Sequence, residues 1–208
     1  STIFQFMNGL GRVFQPELFR KLFANKHQSK TDEISNFIMP YFYLSIFIAL
    51  LVAIFAKEFM SVFLAKEYFD ASIITSILSV YYASFFVGKI VGNQLIYAEK
   101  TYTVTLLTLA GIILNVGLNI PFIINWGIHG AAWATTIASI LITCISYVIA
   151  QRHVKIIWQW RRIWMIYTVF IFGVVFTLID YSEVIKIHSY MSIMAKFIFV
   201  YLYISDLC

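Results

Sequence analysis

The chain has 208 residues, of which 61% are hydrophobic, 18% are aromatic and only 12% are charged. A soluble globular domain carries about twice that share of charged residues, and so few polar side chains cannot cover a surface in water. The composition therefore excludes a soluble protein and indicates an all-α membrane protein, a polytopic bundle of transmembrane helices.

Residues 1–36 predict the end of a transmembrane helix, a cytoplasmic amphipathic helix and a loop. The apolar stretch from Ser1 to Phe14 has no initiator Met, so we expect it to end a helix that begins upstream in a longer protein. The order P-E-L-F-R-K-L-F then places Arg20 and Lys21 opposite an apolar face, which is typical of a helix lying at the membrane interface. The polar segment from Lys26 to Glu33 is predicted to be a loop.

Residues 37–150 predict a core of four spans. The runs from Ile34 to Ala56 and from Ala71 to Ala98 are each long enough for one crossing. The segment from Thr101 to Gln151 would make a helix of roughly 75 Å, which is too long for one crossing. It must turn once, and we place a tight turn at Asn125–Gly130 (N-W-G-I-H-G) because Asn and Gly tolerate the backbone conformations of a reversal.

Residues 151–208 predict two weaker spans, about Ile163–Ile179 and about His188–Ser205, which bring the total to about six. The second contains the charged Lys196. With six crossings, ten Lys and Arg residues fall on one side of the membrane and three on the other. This asymmetry predicts that the basic side is cytoplasmic, and it accounts for the net charge of +5 without nucleic-acid binding.

Small residues recur every fourth position in two of the spans, which predicts close helix packing. They are Ser84, Gly88 and Gly92 in one span, and Gly130, Ala134 and Ala138 in another.

Polar residues inside the spans are the candidate site. Lys89 lies about 13 Å from the predicted boundary near Ala98, so it either lines a water-filled cavity or snorkels as an anchor. Asn93 and Gln94 extend this polar strip by one turn. In the next span a further pair, Asn115 and Asn119, shares one face and predicts either hydrogen bonds between helices or contacts with a ligand.

Chemistry-bearing motifs are missing from the sequence. No Asp or Glu falls inside a confident span, and neither a phosphate-binding glycine loop nor a Ser/His/Asp arrangement occurs. The two cysteines, Cys144 and Cys208, are far apart in apolar surroundings and suggest neither a disulfide nor a metal site. The sequence therefore predicts no enzyme activity, no cofactor and no metal.

Three segments together resemble a known family. They are G-K-I-V-G-N-Q-L-I-Y-A-E-K-T-Y, then L-N-V-G-L-N-I-P-F, then the turn G-I-H-G-A-A-W-A-T. This order is similar to the polysaccharide-unit (O-antigen type) flippases, within the superfamily that also holds multidrug exporters. The likeness covers most of Met7 to Lys155, and the chain would correspond to the second helical bundle plus two C-terminal helices.

The resemblance implies that a lipid-linked oligosaccharide, carried on undecaprenyl pyrophosphate, is flipped across the bacterial inner membrane by alternating access. The expected partners are this lipid, membrane lipids, an N-terminal bundle of the same transporter and the polysaccharide polymerase machinery. A basic cavity would suit a pyrophosphate, with Lys89 and Arg12 as candidate ligands beside Asn93, Asn115 and Asn119. The alternatives are a multidrug or cation exporter, a membrane-embedded enzyme acting on a polyprenyl substrate, and a scaffold without transport activity.

Overall fold

The computed structural model describes residues 2–24, 31–63 and 70–181, together with positions 196, 198, 200, 201, 203 and 204. Within these ranges the chain is helical and contains no strand, so the predicted all-α class is confirmed. The five helices are α1 Thr2–Ala24, α2 Thr31–Phe63, α3 Asp70–Tyr97, α4 Thr101–His153 and α5 Trp160–Tyr181.

Four of these helices, α2 to α5, are long and apolar enough to cross a membrane. Their candidate spans coincide with the uncharged runs in the sequence, because a length of roughly 20 apolar residues is what the hydrocarbon core requires. The last predicted span, His188–Ser205, and the loop of Lys26–Glu33 lie largely outside the described residues. The total of six spans therefore stays a prediction.

The 53 residues of α4 contain a reversal of the chain. Gly127 has φ 57° and ψ −136°, a conformation that is not helical and that suits glycine. A Cβ added at Gly111 would lie 3.4 Å from the side chain of Ile142, although 31 residues of straight helix would separate the two by about 46 Å. The predicted turn at Asn125–Gly130 is thus confirmed, and α4 consists of a first arm (residues 101–126) and an antiparallel second arm (residues 128–153).

The N-terminal segment differs from the prediction. Instead of a helix end followed by a separate amphipathic helix, α1 runs without interruption through Pro16. Proline removes only one hydrogen-bond donor at that point, and Phe14, Leu18 and Leu22 are buried along one side of the helix on both sides of it. The predicted apolar and basic faces are nevertheless present, since the Arg20 side chain is exposed.

The chain divides into two compact units. The first comprises Ser1–Ser45 and Tyr81–Gln159. Its core is aromatic: Phe14 stacks on Phe37, with 5.3 Å between ring centroids, and it meets Phe86 edge-on at 5.2 Å. These contacts pack α1, α2 and α3 together. The predicted three-part division of the chain stays a prediction.

The second unit comprises Ile46–Val80 and Trp160–Cys208. Helices α2 and α5 approach closely at Gly173, where an added Cβ would lie 2.8 Å from a methyl carbon of Leu50. Lys196, the charge that stood out within the last predicted span, is fully buried in this unit and its Nζ donates to Oε1 of Glu58. An ion pair is how a buried lysine is accommodated in an apolar region.

Candidate functional site

The first unit encloses a cavity of about 670 Å³. Its walls are α3, both arms of α4, and Gln15 from α1. Apolar side chains make up much of the lining, as is usual for ligand-binding cavities. The residues with polar side chains in the lining are Gln15, Tyr81, Lys89, Asn93, Thr108, Asn115, Thr135, Ser139, Thr143 and Ser146.

Lys89 lies on the cavity wall formed by α3, and it is the one cation in the lining. Its side chain is exposed, with Nζ 5.2 Å from the centroid of the Phe85 ring. An ammonium over an aromatic face gains a cation–π attraction. Among the described residues no carboxylate forms an ion pair with Lys89, and its side chain borders the cavity.

The polar strip that follows Lys89 on α3 divides between two surroundings. Asn93 is 7% exposed and lines the cavity. Gln94 is fully buried, and its Nε2 donates to the carbonyl oxygen of Val154 at 3.0 Å. Asn93 therefore belongs to the cavity, whereas Gln94 joins α3 to the end of the second arm.

The two asparagines of the first arm are hydrogen-bonded to each other. Nδ2 of Asn119 donates to the Asn115 side-chain oxygen at 2.8 Å and to the Asn115 carbonyl at 2.9 Å. These bonds run within one helix and not between helices. Asn115 lines the cavity, whereas Asn119 is not part of the lining. Arg12, the remaining candidate, is exposed on α1 and is not part of the lining.

Four hydroxyl residues of the second arm were missed by the sequence analysis: Thr135, Ser139, Thr143 and Ser146. Their spacing of four, four and three residues places them on one helical face, and this periodicity was a signal that could have found them. The face packs closely on the small residues of α3, since the hydroxyl oxygens of Ser139 and Ser84 lie 3.1 Å apart. The predicted small-residue contact of α3 is thereby confirmed.

The chemistry of the cavity lining suits the binding of polar and anionic ligands. The lining combines one ammonium with amides and hydroxyls and includes no carboxylate, histidine or cysteine. Such groups donate hydrogen bonds to anionic and polar ligands. In the described part of the chain, no group of three metal-ligating side chains comes together.

The comparison with family models decides the assignment. The model described as "Lipid II flippase MurJ" matches residues 4–203 of the chain. The chain belongs to this lipid II flippase family. The predicted flippase resemblance is confirmed at this level, within the same exporter superfamily, whereas the O-antigen type is a narrower assignment that the match does not make.

A curated relative supports the same class. The chain is 26% identical over 158 residues to the "Probable low-salt glycan biosynthesis flippase Agl15" of Haloferax volcanii, which is 76% of this chain and 34% of the relative. The chain thus spans about one third of the relative that it matches. Both descriptions are of membrane transporters and not of enzymes, in agreement with the prediction that the chain is not an enzyme.

Proposed function

We propose that this chain is part of a flippase that moves a lipid-linked oligosaccharide, carried on a polyprenyl pyrophosphate, across a membrane by alternating access. The observation that carries the proposal is the cavity of the first unit, in which Lys89 faces a space bordered by amides and hydroxyls. Family membership supports the class of substrate.

The chemistry of the lining suits the two polar parts of such a substrate. The Lys89 ammonium would bind an oxygen of the pyrophosphate, because charge-assisted hydrogen bonds to phosphate are about twice as strong as neutral ones. Asn93, Asn115 and the hydroxyls of the second arm would bind the hydroxyl groups of the saccharide. Asn119 would contribute indirectly, by fixing the orientation of the Asn115 amide. Arg12, exposed on α1 and outside the lining, stays a candidate second cation for the pyrophosphate.

The setting of the transporter is part of the proposal. The excess of Lys and Arg on one predicted side places that side in the cytoplasm, and we assign the protein to the bacterial inner membrane. The relative is about three times as long as the matched region, so we propose that an N-terminal bundle supplies the other wall of the cavity. Within the family's range of lipid-linked glycans, we retain the polysaccharide or O-antigen repeat unit as the substrate, with a polymerase as partner.

Complementation tests the function. The complete gene product is expressed in strains depleted of a lipid II flippase, of an O-antigen flippase, or of a multidrug exporter, and growth or surface polymer is measured. Rescue of either glycan strain supports the proposal and identifies the saccharide. Rescue of the exporter strain alone contradicts it.

Three variants connect the function to the cavity. Lys89→Ala is expected to reduce transport about 10- to 100-fold, because a hydrogen bond to a charged group is worth about 1.5–3 kcal/mol. Lys89→Arg keeps the charge and should retain most activity. Lys100→Ala removes an exposed cation that does not line the cavity and is the matched control. Full activity of Lys89→Ala at equal abundance would mean that Lys89 does not hold the substrate.

A further inference from the structure

A shallow apolar groove of about 310 Å³ lies on the second arm of α4, apart from the cavity. It is lined by Cys144, Ile145, Val148 and Ile149, and it ends at the guanidinium-bearing residue Arg152. Ile145 and Val148 are about half exposed. From Cys144 to Arg152 the groove runs about 12 Å along the helix, most of the depth of one leaflet, which is about 15 Å.

Beyond Arg152 the chain continues as an extended segment, residues 154–159, that is fixed in place. The side-chain amide of Gln151 binds Ile156 twice: Nε2 donates to the Ile156 carbonyl at 3.0 Å, and Oε1 accepts from its N–H at 3.1 Å. Ile156 and Trp158 are buried, while Lys155 and Ile157 are exposed. The alternation holds the Lys155 ammonium on the surface, three residues from Arg152 and therefore at most about 10 Å away along the backbone.

An anion at the C-terminal end of a helix normally meets unpaired carbonyl groups, which repel it. Here one of the last four carbonyls of α4, that of Ala150, accepts a hydrogen bond, and so do the Val154 and Ile156 carbonyls just beyond the helix. The Ala150 oxygen accepts from the N–H of Val154 at 2.9 Å, the Val154 oxygen from Gln94, and the Ile156 oxygen from Gln151. Arg152 and Lys155 add two exposed positive charges at this end of the groove, which offset the negative end of the helix dipole.

We propose that this groove binds an anionic phospholipid, with its phosphate at Arg152 and Lys155 and one acyl chain along Cys144, Ile145, Val148 and Ile149. The combination of two exposed cations with an apolar channel of leaflet depth is complementary to the charged headgroup and acyl chain of an anionic lipid. A negatively charged headgroup is preferred over a zwitterionic one, because each Lys or Arg near an anionic membrane surface contributes attraction. The site is separate from the substrate cavity and does not depend on its function.

The first measurement is lipid retention. The full-length protein in detergent is titrated with phosphatidylglycerol or with phosphatidylcholine of the same acyl chains, and bound lipid is counted by native mass spectrometry. The wild type is expected to bind phosphatidylglycerol about tenfold more tightly, and the double variant Arg152→Gln/Lys155→Gln to lose that preference. Val148→Trp, which fills the groove, should weaken the binding of both lipids.

The matched control is Lys100→Gln/Arg162→Gln, which removes one exposed lysine and one exposed arginine outside the groove. It should keep the preference. If both double variants lose the preference for phosphatidylglycerol equally, the lipid is attracted by positive charge in general, and the proposed site is wrong.

A second measurement locates the acyl chain. Cys144 is an exposed free thiol in the groove, and Cys208→Ser leaves it as the single cysteine of these 208 residues; any cysteine elsewhere in the full-length protein is replaced by Ser as well. In reconstituted protein, phosphatidylglycerol should slow alkylation of Cys144 by a membrane-soluble maleimide about fivefold, and Arg152→Gln/Lys155→Gln should abolish the protection. Alkylation that proceeds equally fast in both lipids would contradict occupation of the groove.

Discussion

Gly130 lies against the backbone carbonyl of Phe122, so closely that a Cβ at position 130 would overlap it. In a continuous helix the eight steps from position 122 to position 130 would span about 12 Å. The contact exists because Gly127, with its positive φ, reverses the chain between the two positions. The two glycines of the turn therefore have different tasks: Gly127 adopts the turn conformation, and Gly130 lets the two arms of α4 approach.

Alanine at either glycine should destabilise the protein. Gly127→Ala places a side chain in a conformation that costs about 1–3 kcal/mol, and Gly130→Ala forces the arms of α4 apart. Both are expected to lower the melting temperature in detergent, measured by the change in fluorescence as the buried Trp158 becomes exposed. Gly117→Ala, on the first arm with open space around it, is the control and should be neutral or stabilising by up to about 1 kcal/mol. If Gly130→Ala and Gly117→Ala have the same melting temperature, the two arms of α4 do not approach closely at Gly130.

The sequence predicts the features that depend on length and local conformation. The reversal of α4 follows from an uncharged run too long for one crossing, and its position from the Asn and Gly residues. Features that depend on distant contacts are not predictable in this way. Pro16 suggested a helix end, yet buried side chains on both sides of it keep α1 continuous.

The charged residues show the same difference between features set by the local sequence and features set by distant contacts. Lys196 made the last predicted span less certain in the sequence, because a charge within an apolar segment is unfavourable without a partner. Its partner, Glu58, lies 138 residues away in the chain and cannot be found from the local sequence. Lys89 left two interpretations open, since a cavity is formed by three helix segments whose relative positions a single helical pattern does not contain. The spacing of the hydroxyl residues in the second arm predicts that they share one helical face. That this face lines a cavity is seen only in the structure.

Filling the cavity should stop transport without unfolding the protein. Gly92 lines the cavity and has no atom within 4 Å of an added Cβ, so Gly92→Phe would extend into the empty space. We expect at least a tenfold loss of transport with an unchanged melting temperature. Gly117→Phe introduces the same side chain outside the cavity and should leave transport intact. Normal transport by Gly92→Phe would exclude this cavity as the substrate path.

The pair of Glu58 and Lys196 should behave as a coupled unit in the stability of the second unit. The Lys196 side chain is 1% exposed, and removing one partner of a buried pair leaves an uncompensated charge, at a cost of about 3–5 kcal/mol. Glu58→Gln, which leaves the buried ammonium unpaired, should therefore be strongly destabilising. Lys196→Met should cost less, because the Glu58 side chain is 34% exposed and its charge is partly hydrated. The double variant Glu58→Gln/Lys196→Met should recover much of the loss. A double-mutant cycle of thermal unfolding measures the coupling, and additive effects would show that the two charges do not stabilise each other.

The bidentate contact of Gln151 with Ile156 should control the opening of the 154–159 segment. Gln151→Ala leaves the N–H and the carbonyl of Ile156 without their side-chain partner, and each hydrogen bond contributes about 0.5–1.5 kcal/mol. Exchange of the Ile156 amide hydrogen is therefore expected to accelerate about 5- to 100-fold, whereas amides in the middle of α3 keep their rates. Gln151→Glu separates the two bonds, because a carboxylate still accepts from the N–H but cannot donate to the carbonyl, and it should give an intermediate exchange rate.

Gln5→Ala, which removes an exposed glutamine on α1, serves as the control and should leave the exchange of the Ile156 amide unchanged. Unchanged exchange at Ile156 in Gln151→Ala would mean that burial of Ile156 and Trp158 alone holds the segment, and the fixed display of Lys155 would then not depend on the amide.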